Sequence, residues 1–145
     1  MPQTPTGSAP GQRTLVLLKP DAVRRGLVGD ILGRFEAKGL RIVALDQRTI
    51  DAGMADRHYA EHVERDFYPP LRQFVTSGPL VALVLEGDEC VEVVRAINGA
   101  TDGRKAAPGT IRGDLSLSNR ENLVHGSDSP ESAAREIALW FPDLG

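Results

Sequence analysis

The stretch Leu80-Val81-Ala82-Leu83-Val84-Leu85 is the most apolar run in the chain, and it follows the stop signal Ser77-Gly78-Pro79. Such a run behind a Gly/Pro break predicts a central strand. A second run, Thr14-Leu15-Val16-Leu17-Leu18, ends at Lys19-Pro20 and reads as a buried strand for the same reason. The other elements arrange themselves around these two. Leu27, Ile31 and Phe35, with Val28 and Leu32 beside them, repeat at helical spacing, and Gly39 is placed to end that helix in a left-handed cap. Residues 41–50, around Ile42-Val43-Ala44-Leu45, form a further strand. Asp51 caps a helix through about His62, a short helix runs from about Pro69 to Thr76, and Asp88 caps a helix through Ile97 with Gly99 behind it. Residues 99–121 carry Gly, Pro, Asp and Asn without a period and read as one long loop, a kind of segment that is usually functional or disordered. Leu123-Val124 is a very short strand, and Ser129-Pro130 starts a last helix through Trp140. With the helical pair set aside, the order is βαββαβ plus a trailing helix. That is an α+β chain with a four-stranded antiparallel sheet, helices on one face, in the split βαβ arrangement.

At 145 residues the chain is one ordinary domain. Residues 1–12 are polar and rich in Pro, Gly, Ser and Thr, so the expectation is a disordered leader followed by a domain over 13–145. No apolar run approaches the ~20 residues of a membrane span, and the polar stretch from Pro2 to Gly11 lacks the basic-then-apolar layout of a signal peptide. Cys90 is the single cysteine, which precludes an internal disulfide and suits a reducing cytoplasm. The net charge of −3 speaks against a nucleic-acid-coating protein. It also means that a site for a polyphosphate has to gather its positive charge locally.

Asn122-Leu123-Val124-His125-Gly126-Ser127-Asp128-Ser129 places a histidine at the end of a short strand, before glycine and hydroxyl residues. Strand ends beside loops hold reactive side chains while exposing them, although a lone histidine there is as readily a structural hydrogen-bonder. Lys19 leaves the end of an apolar strand, where site residues commonly emerge. Arg95, Arg104-Lys105 and Arg112 read singly as a solvated face. Arg112-Gly113-Asp114 stands out because an arginine fork suits phosphate oxygens and glycine lets backbone approach a ligand. Phe67 is either core packing or an exposed platform for a flat base. Glu136 is either solvated or turned toward a histidine whose tautomer it fixes. No P-loop and no Gly-x-Gly-x-x-Gly segment is present.

Four ordered segments then carry a resemblance: Lys19-Pro20-Asp21-Ala22-Val23, Ser77-Gly78-Pro79, Pro108-Gly109-Thr110-Ile111-Arg112-Gly113-Asp114, and residues 122–129. Over about residues 13–141 the chain resembles nucleoside diphosphate kinases. The resemblance implies a ferredoxin-like fold and transfer of the terminal phosphate of a nucleoside triphosphate to a diphosphate. It implies a ping-pong route through phosphohistidine, with Mg²⁺ on the nucleotide and little preference among bases. It places His125 as nucleophile, Lys19, Arg95, Thr101 and Arg112 on the phosphates, and Asn122 on the sugar 3′-hydroxyl. Phe67 becomes the stacking aromatic, with Leu71 nearby, and Tyr59, Ser127 and Glu136 support the site. It also implies a homo-oligomer, a hexamer or else a tetramer. Neither a membrane nor a specific nucleic acid figures among its partners.

Three departures from the family pattern accompany the match. Asn119 stands where relatives commonly carry an apolar residue against the base. Asp102-Gly103 replaces a frequent proline after the threonine. The chain stops at Gly145, short of the tail by which many relatives touch neighbouring subunits. Two rival readings are a binding protein of the same fold without turnover and a nucleic-acid binder. No matched catalytic position is substituted, which opposes the first, and the acidic net charge opposes the second.

Overall fold

A computed structural model describes residues 11–144. The leader expected at the N-terminus falls almost wholly outside the described residues. The elements are β1 (Gln12–Leu18), α1 (Pro20–Arg24), α2 (Val28–Lys38), β2 (Arg41–Arg48), α3 (Ala52–His58), α4 (Tyr68–Val75), β3 (Leu80–Gly87), α5 (Cys90–Asn98), α6 (Ile111–Leu115), β4 (Val124–Gly126) and α7 (Pro130–Trp140). The four strands form one sheet in the order β2-β3-β1-β4, with every neighbouring pair antiparallel. The two most apolar runs, β1 and β3, are its central strands, and this is the α+β, ferredoxin-like architecture that the pattern predicts.

The expectation of helices on one face is corrected. Val16, Leu18, Val81, Leu83 and Leu85 face one core, filled by Ala22, Ile31, Phe35, Val94 and Ile111. Leu15, Leu17, Leu80, Ala82 and Val84 face a second, filled by Ala55, Tyr59, Tyr68, Val75 and Trp140. Helices α3, α4 and α7 thus cover the face that a bare split βαβ unit leaves open. Burial on both sides is why β1 and β3 read as continuous apolar runs rather than alternating ones.

Several helix ends match the sequence. Gly39 closes α2 at φ 102°, Asp51 accepts from the Met54 amide at 2.8 Å, and Ser129 accepts from the Ser132 amide at 3.1 Å. Others do not. Helix α3 stops at His58 rather than near His62, because Arg135 of α7 donates to its last carbonyls, Arg57 O at 3.2 Å and His58 O at 3.1 Å. Asp88 is not the cap of α5: Glu89 holds that position at φ 49°, and the Val91 amide is satisfied by the Gln12 side chain at 2.9 Å. The long loop contains α6, capped by Thr110 Oγ1 on the Gly113 amide at 2.9 Å. A five-residue helix is too short to show a period.

Candidate active site

Residue 125 owes its position to β4. This strand pairs with β1 so that His125 lies opposite Leu17. Val124 packs into the first core, so strand alternation turns His125 toward the other face, where α7 runs. Just before it, Leu123 adopts φ 73°, an unusual conformation for a bulky residue. The surroundings hold it there. Its side chain is wholly buried, its carbonyl accepts from the Lys19 amide at 2.8 Å, and its own amide donates to Asp21 Oδ2 at 3.1 Å. Strand β4 is thereby fixed to the corner where β1 turns into α1, and Lys19 occupies that corner.

His125 Nε2 lies 2.9 Å from Glu136 Oε1. Ser127 Oγ donates to the same oxygen at 2.8 Å and accepts from the Leu15 amide at 3.2 Å. Burial pushes the Glu136 carboxyl up, but the hydrogen bond and charge of His125, the Ser127 hydroxyl and Arg135 outweigh it and hold the group below the usual range. Glu136 is therefore an ionised acceptor, so the imidazole presents its proton at Nε2 and a lone pair at Nδ1.

Lys19 is buried, and its ammonium donates to Asn122 Oδ1 at 2.9 Å. Burial, then the neighbouring Arg112, lower its pKa to about 8 against the pull of Asp21. The Asn122 amide nitrogen donates to Thr101 O at 3.1 Å and Asn119 O at 2.9 Å. Arg112 donates to Gly99 O at 2.8 Å, Val124 O at 2.6 Å and Asn122 O at 3.2 Å. Burial and Arg95 lower its pKa to about 10, so it stays charged at neutral pH. Arg112 is as much a staple of the loop as a free fork. Its neighbour Gly113 serves packing rather than a ligand, because a Cβ there would collide with the Ala107 carbonyl.

These groups surround one cavity of about 970 Å³. Its wall includes Lys19, Tyr59, Phe67, Leu71, Arg95, Thr101, Arg112, Asn122, His125 and Glu136, together with Asn119. Of the residues expected at the site, Ser127 alone is not on the wall; it is wholly buried behind Glu136. Phe67 is exposed on the wall rather than packed in the core, at 48% accessibility. Tyr59 is a wall residue whose buried hydroxyl has no hydrogen-bond partner among the described residues. Arg104, Arg120 and Arg135 add further positive charge, which is the local gathering that a chain of net charge −3 requires. Sequence reading missed two contributors. His58, buried at the end of α3, packs edge-on to His125 with ring centroids 4.7 Å apart. Arg135 ties α7 to α3. The only sequence signal for either was adjacency, His58 to Tyr59 and Arg135 to Glu136.

The chain is similar to known proteins over nearly all of its described length. The family profile described as "Nucleoside diphosphate kinase" matches residues 12–144. A nucleoside diphosphate kinase of Nocardioides sp. is 81% identical over 132 residues, which cover 91% of this chain and 98% of that protein. One from Cutibacterium acnes is 62% identical over 133 residues, covering 92% and 96%. Among solved structures, a halophilic nucleoside diphosphate kinase from Halobacterium salinarum in complex with CDP superposes with a TM-score of 0.90 at 49% identity, covering 92% of this chain and 89% of that one. No helix among the described residues is long and apolar enough to cross a membrane.

Proposed function

The chain belongs to the nucleoside diphosphate kinase family and is an enzyme of that class, and we propose that it works by a ping-pong route in which His125 carries the phosphoryl group. The observation that supports this reading is the fixed tautomer: Nε2 is committed to Glu136, which leaves the Nδ1 lone pair as nucleophile. In the first half-reaction Nδ1 attacks the γ-phosphorus. An N–P bond forms, the bond to the bridging oxygen breaks, and the diphosphate leaves with the electron pair. The Nε2 proton stays between imidazole and Glu136, whose charge offsets the developing imidazolium. In the second half-reaction a terminal oxygen of the acceptor diphosphate attacks phosphorus and the N–P bond breaks, restoring the lone pair. One difficult transfer becomes two similar ones.

Lys19 and Arg112 face the charge that is redistributed over the phosphoryl oxygens, with Arg95 and Thr101 further along the phosphates. Lys19 and Asn122 act as a joined pair toward the sugar 3′-hydroxyl. Phe67 offers a face to any base, which supports broad base specificity. Mg²⁺ carried on the nucleotide would neutralise phosphate charge. Glu136 is already engaged, so Asp128 and Glu61 are the carboxylates on the cavity wall able to face the ion. The reading also includes a cytoplasmic homo-oligomer, a hexamer or else a tetramer. The outer edge of β2, unpaired among the described residues, and its half-exposed Leu45 favour association.

The test is His125→Ala. Exchange between ATP and several diphosphates should vanish while circular dichroism and melting remain close to wild type. Substantial exchange by the folded variant would remove His125 from the route.

A further inference from the structure

His58 sits beside the nucleophile without a role in the chemistry above. It is buried at the C-terminus of α3, yet it belongs to the cavity wall. Helix α7 grips it twice: Arg135 Nη2 donates to its backbone carbonyl at 3.1 Å, and Trp140 Nε1 donates to its ring at Nδ1, 3.0 Å away. Its ring stands nearly perpendicular to that of His125, at 80°.

His58, His125 and Glu136 bring potential ligand atoms within 4.8 Å of one another, which at first suggests a metal triad. The Trp140 contact argues otherwise. An indole N–H can only donate, so Nδ1 of His58 must carry the lone pair and Nε2 the proton. A protonated nitrogen is a hydrogen-bond donor and not a metal ligand. Among the described residues His58 Nε2 has no hydrogen-bond partner, and it is not one of the sealed, unpaired polar atoms, so this edge of the ring is open to the cavity. Burial, together with the charges of His125 and Arg135, pushes the imidazole pKa well below its ordinary value, so the ring is a neutral donor.

We propose that His58, locked by Trp140 as the Nε2–H tautomer, is a second phosphoryl-binding histidine that donates this N–H to an oxygen of the group passing to and from His125. A neutral donor has a specific advantage here. It stabilises charge on the phosphoryl oxygens without adding a fixed cation that would hold the phosphoryl group on the enzyme. The two histidines then divide the work: Glu136 makes His125 a nucleophile by engaging Nε2, and Trp140 makes His58 a donor by engaging Nδ1. This inference rests on the His125 reading above.

Three measurements test it. In the full-length wild-type protein, ¹⁵N shifts of the histidine rings should show His58 protonated at Nε2; protonation at Nδ1 would overturn the proposal. His58→Phe keeps a ring of similar size without the donor, and should lower kcat by about 10- to 100-fold with KM for the diphosphate within about twofold. His58→Gln returns an N–H near Nε2 and should recover at least part of that loss. A folded His58→Phe enzyme with kcat within about twofold of wild type would overturn the proposal, and so would His58→Gln no more active than His58→Phe. These outcomes are separate from failure of the His125 reading, which would appear as exchange surviving His125→Ala.

Discussion

The two ends of the cavity are built differently. Around His125, Lys19, Asn122, Glu136 and Ser127 are buried, and each is held by hydrogen bonds of 2.8–3.2 Å to another element. Arg112 is tied to three backbone carbonyls. At the opposite end, Phe67 is 48% accessible and Asn119 is exposed, while Leu117 of the rim is 86% accessible. The structure concentrates fixed geometry around His125 and leaves the rim at Phe67 open, which suits the proposed roles of a bond made and broken at one end and an undiscriminated base at the other. Organised dipoles and charges lower a barrier only if they need not rearrange during the reaction. A stacking platform of the kind proposed for Phe67 gains nothing from such rigidity.

The largest effects should therefore arise at the buried end. Lys19→Ala and Arg112→Ala should each lower kcat by about 100-fold, and lower it more than they weaken nucleotide binding. Arg112→Ala should also destabilise the fold, by about 3 kcal/mol, because it leaves three carbonyls without their charged donor. Lys19→Ala should not share that loss, since removing a buried ammonium relieves its desolvation. Steady-state kinetics with urea denaturation on both variants checks this contrast. If either variant only raises KM, that residue is a simple binding contact.

Next comes the pH response. The Lys19 pKa falls from 10.5 to about 8 on folding, so the free enzyme loses this positive charge as pH rises through 8. The ratio kcat/KM should fall above that point, and the fall attributable to this group should be missing in Lys19→Ala. Stability should move the opposite way. Between about pH 8 and 10.5 the unfolded chain keeps a proton that the folded chain has released, so the Lys19 contribution to stability rises across that window. Below pH 8 the cost of burying the charge is fully present. A kcat/KM that stays flat from pH 7 to 9.5 would remove Lys19 as a required cation.

The smallest effect belongs to the rim. Asn119→Val should tighten binding of ADP, GDP and CDP alike by no more than about 1 kcal/mol, the gain from adding a methyl or two of apolar contact. Equilibrium dissociation constants decide it. Unchanged or weaker binding of all three would show that residue 119 does not meet the base.

The same contrast explains what could be seen in the sequence. The residues of the buried end stand in short ordered segments, so His125, Lys19 and Arg112 could be singled out from the sequence, and the structure brings them to one cavity. Central strands β1 and β3 were legible because both faces are buried. That same continuity was also the sign that helices cover both faces, and the expectation of a one-sided sheet passed over it. Other features depend on partners distant in the chain. Arg135 ends α3 from 77 residues away, and Gln12 satisfies α5 from 79 away. His58 acquires its tautomer from Trp140, 82 residues later. The left-handed Leu123 carries no glycine or asparagine to announce it; the contacts of Lys19 and Asp21 impose it.

The most direct test of the central claim is to follow the phosphoryl group itself. The wild-type enzyme is mixed with ATP labelled in the γ-phosphate, without acceptor, then digested and mapped, and a parallel sample is chased with unlabelled GDP. The account predicts acid-labile, base-stable label on His125, approaching one per chain, that moves quantitatively to GTP within the time of turnover. Label on His58 or His62 instead, or rapid exchange with no label on the protein at all, would contradict it.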